Sequence, residues 1–167
     1  ENIEIKNRNL TILITWKSYS EITYQELMNR FYENDYSAYI QMQFLTPTAF
    51  KQKGKYLFYP DIRCIFQSLM NKYDSAICDE SMMDMDTLEQ LTENAHIIRY
   101  DLKSVGFCLE GVKIPAFIGK LTIKMNGTRT MSNFANMLFE FGEYSGVGIK
   151  TALGMGCIKK IDERGRK

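Results

Sequence analysis

EYSGVGIKTALGMGCIKK, residues 143–160, places Gly146, Gly148, Gly154 and Gly156 within a span of eleven residues, in a chain with only 11 glycines. The spacing is G-x-G-x5-G-x-G, with Lys150 and Thr151 at its centre. Glycine lets the backbone take positive φ and approach a ligand closely, and successive N–H groups can converge on an anion. Two phosphate-cradling patterns fail on context. The Walker loop needs lysine directly after glycine, whereas Lys150 follows Ile149. The dinucleotide fingerprint follows a strand and opens a helix, whereas this segment follows a helical pattern and precedes a strand. A helix end and a tight turn account for one or two of the glycines, and less well for a paired G-x-G.

Outward from this stretch the periodicities alternate. Met131, Phe134, Ala135, Leu138 and Phe139 form a helical stripe just before it, closing near Gly142. AFIGKLTIKM (116–125) reads as a strand with Phe117, Leu121, Ile123 and Met125 inward and Lys120, Thr122 and Lys124 outward. HIIRYDLKSV (96–105) reads as a strand with Ile98, Tyr100 and Leu102 inward. A helix from Asp61 buries Ile62, Ile65, Phe66, Leu69, Met70 and Tyr73. SAYIQMQF (37–44) alternates as a strand with Ile40, Met42 and Phe44 inward, and KQKGKYLFYP turns at Gly54. An earlier helix carries Tyr24, Leu27, Met28, Phe31 and Tyr32 behind the N-cap Thr23, and LTILITW (10–16) reads as a first strand. Residues 74–93 read as an acidic insertion, irregular or weakly helical. "MGCIKKI" is a short last strand, and "DERGRK" a tail. The order reduces to β-α-β-β-α-β with extra pieces, which predicts an α+β ferredoxin-like (RRM-like) antiparallel sheet with helices on one face.

The 167 residues suit one domain, and 45% hydrophobic content with a mean hydropathy of −0.27 suits a packed core. No run is apolar enough for a transmembrane helix, and no signal peptide is visible. Cys64, Cys78, Cys108 and Cys157 form no C-x-x-C pair and read as reduced thiols of a cytoplasmic protein. A net charge of +1 conceals blocks of about +4 (51–72), −7 (74–93) and +4 (144–167). The basic blocks point to a polyanion or to no more than a solvated surface.

The glycine segment in its place, between a helix and a short final strand, resembles the C-terminal signature of the repeat-associated RNA-binding superfamily of CRISPR systems. Within it the chain is similar to the CRISPR repeat-processing endoribonuclease family. FLTPTAFKQKGKYLFYPDIRCIFQSLMNKY (44–73) resembles that family's strand, basic loop, proline and helix, and AFIGKLTIKMNG (116–127) its strand before the last helix. The resemblance implies one of two tandem ferredoxin-like domains, so residues 1–167 are expected to be the C-terminal domain of a longer enzyme.

It also implies cleavage of precursor CRISPR RNA within repeats, with no cofactor and no metal. The 2′-hydroxyl attacks the adjacent phosphorus and leaves a cyclic phosphate. That chemistry needs a base, an acid and positive charge near the phosphorane. The base is expected outside this chain. His96, the only histidine, is the one catalytic candidate within it, and its parity with Ile98 also reads as structural. Expected RNA contacts are Gly146, Gly148, Lys150, Thr151, Gly154, Gly156 and Lys159 in and beyond the loop. Lys51, Lys53, Lys55, Arg63 and Arg129 lie outside it. Implied partners are CRISPR repeat RNA, with effector-complex proteins or a second copy of the chain as further options, and no membrane. The alternatives are a non-catalytic CRISPR-associated RNA-binding subunit or module, and a small-molecule-binding ferredoxin-like domain. Replacing Gly148 or Gly154 with a β-branched residue is expected to harm RNA binding more than folding if the loop exists for RNA.

Overall fold

The structure is a computed structural model that describes residues 2–5, 10–76 and 84–161. Its main sheet contains β3 (Tyr39–Thr48), β6 (Ala95–Leu109), β7 (Val112–Met125) and β8 (Ile158–Lys160), in the order β6-β7-β3-β8 with every pairing antiparallel. With α2 (Ile62–Ala76) and α4 (Arg129–Ser145), the succession β3-α2-β6-β7-α4-β8 is the expected ferredoxin-like unit. Ile40, Met42 and Phe44 of β3, Leu121, Ile123 and Met125 of β7, and the buried stripes of α2 and α4 share one core. The residues between them on β3 and β7 face the other way, so helices cover one side of the sheet.

The first expected strand does not join this sheet. Among the described residues β1 (Asn2–Ile5) and β2 (Leu10–Leu13) pair only with each other, so the unit begins at β3, and Trp16 beyond β2 is 78% exposed. Alternation marks a strand, but hydrogen-bond pairing decides which sheet it enters. α1 (Tyr24–Glu33) starts where expected. Thr23 accepts from the Glu26 N–H, and Glu26 accepts from the Thr23 N–H, a capping box. Its stripe narrows to Leu27, Met28 and Phe31, leaving Tyr24 and Tyr32 exposed.

Of the two readings of the acidic stretch, the helical one holds in its second half, and that helix packs on the core. Asp84 caps α3 (Met85–Asn94) by accepting from the Asp86 and Thr87 N–H groups, and Leu88 and Leu91 are buried in the main core. Two leucines three apart suffice to seat a helix whose other face is acidic. The remainder of the stretch, 77–83 with Cys78, and the tail 162–167 lie outside the described residues.

The inward set on β6 is also corrected. Ile97 packs on the core, Ile98 sits in a register shift between Ile97 and Arg99, and Ile98 and Tyr100 are exposed. One extra residue displaces the alternation at the start of the strand, whereas beyond it Leu102 packs on the core as simple alternation predicts. β6 and β7 run past the sheet as a long hairpin. Its far part packs Ile114 and Ala116 on Ala49 and Met155, a second small core that supports the glycine segment.

Candidate nucleic-acid interface

At the end of β3 the chain makes a small hairpin of β4 (Phe50–Gln52) and β5 (Lys55–Leu57). Lys53 and Gly54 both take positive φ, the twist that a two-residue hairpin turn prefers. The turn therefore displays Lys51, Lys53 and Lys55, all exposed. Asp61 then caps α2 by accepting from the Cys64 N–H at 2.8 Å.

The glycine segment docks on this corner. Its backbone is tied to β3 and the residue after it: Gly156 N–H donates to the Pro47 carbonyl and Ile149 N–H to the Ala49 carbonyl, each at 3.0 Å. Val147 N–H closes the segment on the Gly156 carbonyl at 2.8 Å. Gly148 N–H donates to Ser68 Oγ of α2 at 2.8 Å. A 3-10 turn at Thr151–Leu153 lifts Lys150 to the surface in a left-handed conformation. Lys72 Nζ, half-buried on α2, donates to Thr151 Oγ1 at 2.6 Å and to the Ser145 carbonyl at 3.3 Å. Burial lowers the Lys72 pKa from the ordinary lysine value.

The glycines are explained unequally. A Cβ on Gly156 would lie 1.9 Å from the Val147 carbonyl oxygen, and one on Gly148 2.4 Å from that of Ala49. Both positions require glycine for the fold itself. Gly154 has φ +89° with nothing within 4 Å of a Cβ, so its demand is for backbone conformation at an open surface. Gly146 caps α4, donating to the Gly142 carbonyl.

The expected site residues divide into separate groups. The glycines, Lys150, Thr151, Lys51, Lys53 and Lys55 meet at the corner of β3, the small hairpin and α2. Arg63 reaches Glu89 of α3 at 3.9 Å. Arg129 pairs with Asp35 at 3.1 Å and starts α4, whose 17 residues set it roughly 25 Å from the loop. Lys159 is exposed opposite Gln43 on the uncovered sheet face, in one row with Lys120. His96 is exposed, opposite Lys124, which in turn pairs with Tyr39 at the start of β3. The loop docks at the other end of β3, so a strand of ten residues, roughly 30 Å, separates His96 from it. Lys72 and Ser68 are additions to the expected set. Their i, i+4 spacing along the flank of the apolar stripe of α2, with Lys72 three residues after the buried Leu69, was the available signal.

Among known proteins, the model of the family described as CRISPR-associated endoribonuclease Cas6 matches residues 42–158. A CRISPR-associated endoribonuclease Cas6 of Streptococcus thermophilus is 42% identical over 144 residues, 86% of this chain and 59% of the relative. One from Mycobacterium tuberculosis is 34% identical over 146 residues, 87% of this chain and 46% of the relative. The chain thus spans about half the length of the relatives it matches. A Cas6 solved as a product complex superposes with a TM-score of 0.70 at 25% identity, covering 80% of this chain and 55% of that one. A Thermus thermophilus Cas6 superposes at 0.64 with 24% identity, covering 74% and 53%, which supports the fold. The matched span runs from the middle of β3 through the docked glycine segment to β8, and on that span the chain belongs to the CRISPR-associated endoribonuclease Cas6 family.

Proposed function

We propose that this chain is the C-terminal, RNA-holding half of an endoribonuclease that cuts precursor CRISPR RNA within its repeats without a metal ion. One observation carries the reading. The glycine segment is locked by backbone bonds to the end of β3 and to α2, beside a hairpin that displays three lysines. That corner offers a rigid scaffold and mobile cations, which hold a phosphate backbone without reading bases. In the reaction a base takes the proton of the 2′-hydroxyl, the 2′-oxygen bonds to phosphorus, and the 5′-oxygen leaves with a proton from an acid. A cyclic phosphate remains. The position of His96 at the far end of β3 from this corner supports the reading that the base is supplied from outside residues 1–167. By the same reading the protein works in a prokaryotic cytoplasm. Its uncovered surfaces serve effector-complex proteins or a second copy of the chain.

The test is binding and cleavage of the CRISPR repeat RNA from the same genome, in EDTA, by this chain and by the full-length protein. Binding by both, with cleavage only by the full-length protein, is the expected outcome. Cleavage by this chain alone that His96→Ala abolishes would move the active site to the start of β6. Absence of RNA binding by the full-length protein would sink the reading.

A further inference from the structure

Below the glycine segment, between α2 and the small hairpin, lies a groove of about 290 Å³. Lys51, Gln67, Ser68, Asn71, Lys72 and Gly148 line it, and no carboxylate does. Two of its groups have unused donors. Ser68 Oγ accepts from Gly148 N–H, and its own O–H has no acceptor among the described residues. Lys72 Nζ uses two of its three N–H donors, on Thr151 and Ser145, and the third has no protein acceptor among them. Lys51, over the ring of Tyr56 at 5.8 Å, adds a cation on the hairpin side. The amides of Gln67 and Asn71 supply further donors. Arg63, on the same helix, reaches Glu89, whereas Lys72 bonds only to neutral oxygens among the described residues. A half-buried ammonium without a counter-ion gains more from an arriving anion than one already paired, because desolvation strengthens the attraction.

We propose that this groove is a phosphodiester subsite, in which Lys72 and the Ser68 hydroxyl grip one backbone phosphate of the bound RNA and Lys51 closes over it. The proposal rests on the RNA-binding reading above and adds to it a contact from the helix beneath the loop. Lys72 then has two tasks. It steadies the loop through Thr151, and it holds the ligand.

The two tasks separate in salt dependence. Each phosphate contact contributes about 0.7 (single strand) to 0.9 (duplex) to the slope of log K against log salt. Repeat RNA, and an oligouridylate of equal length, are titrated at several salt concentrations against full-length wild type, Lys72→Met and Lys72→Arg. Lys72→Met is expected to lower the slope by about that amount and to lose about tenfold in affinity. Lys72→Arg restores the slope. A Lys72→Met protein that binds more weakly with the wild-type slope would confine Lys72 to the scaffold and overturn the proposal. Asn71→Asp covers the case in which Lys72→Met fails to fold. Asn71 is exposed and its side chain makes no bond among the described residues. A carboxylate there should weaken RNA binding several-fold with unchanged melting temperature, and unchanged affinity would overturn the proposal. Loss of RNA binding by wild type itself marks failure of the underlying function, whereas a wild-type slope that Lys72→Met leaves intact marks failure of the subsite alone.

Discussion

The glycine positions separate the demands of folding from those of binding. Gly148 faces the Ala49 carbonyl so closely that a Cβ would sit 2.4 Å from the oxygen. Gly148→Val is expected to cost about 3 kcal/mol, from overpacking and from a φ that β-branched residues avoid. A lowered urea midpoint would check it. This revises the expectation that substitution here harms RNA binding more than folding. Gly154 carries that test instead. Its surroundings are open, so Gly154→Ala should cost about 1 kcal/mol of stability for the left-handed backbone and more than that in RNA binding free energy. Equal losses in the two measurements would make the segment a turn and no more. The unpartnered Tyr73 hydroxyl is a further case, since it is buried with no hydrogen-bond acceptor among the described residues. Tyr73→Phe removes a desolvated polar group and should leave stability at neutral pH unchanged or raise it by about 1 kcal/mol, read from the same urea curve.

Between elements, α1, α4 and β8 are joined by Glu140. Its carboxylate accepts from Lys160 Nζ at 3.0 Å and from Tyr36 Oη at 2.9 Å, and lies 3.6 Å from Arg30. Lys160 also stands 4.4 Å from the centroid of the Tyr36 ring. Lys160 and Glu140 side chains are each 14% exposed, so removing one partner strands the other in a poorly solvated place. Glu140→Ala is expected to cost about 3 kcal/mol in urea unfolding, and the double variant Glu140→Ala/Lys160→Met to recover part of that. An additive double variant would show that the pair contributes no mutual stabilisation. This cluster fixes the C-terminal end of the edge strand β8, which leads out of the glycine segment, and explains why Lys160, next to the exposed Lys159, is held within the protein surface.

For the whole molecule, alkaline pH acts through buried acids. Burial pushes the Cys64 thiol up from 9.0 to about 11, and pushes the Tyr36 and Tyr73 phenols up from 10.0 to about 12. Each binds its proton more tightly folded than unfolded. The stability each contributes is therefore complete below its ordinary value and is lost as pH rises through the folded one. Melting temperature should hold to about pH 9 and fall steeply from there to about pH 12, with a shallower fall in Tyr73→Phe. An identical slope in that variant would remove Tyr73 from the account. At this scale the limits of sequence reading also become visible. Periodicity determined α2, α4, β3 and β7, because each buries a face against one dense core and the pattern of apolar residues records it. The glycine spacing, Thr23 as a cap and the lysine-bearing hairpin were local signals, and local geometry reproduces them. Tertiary structure alone decided the rest. A single bulge brought Ile97 rather than Ile98 onto the core at the start of β6, two leucines drew an acidic helix into the core, and β2 paired with β1 instead of the main sheet. It also brought Lys72 and Ser68 beneath the glycine segment and set His96 and Arg129 far from it. Contacts between residues eighty positions apart depend on how elements dock, and docking is governed by shape and hydrogen-bond closure that no local window of sequence contains.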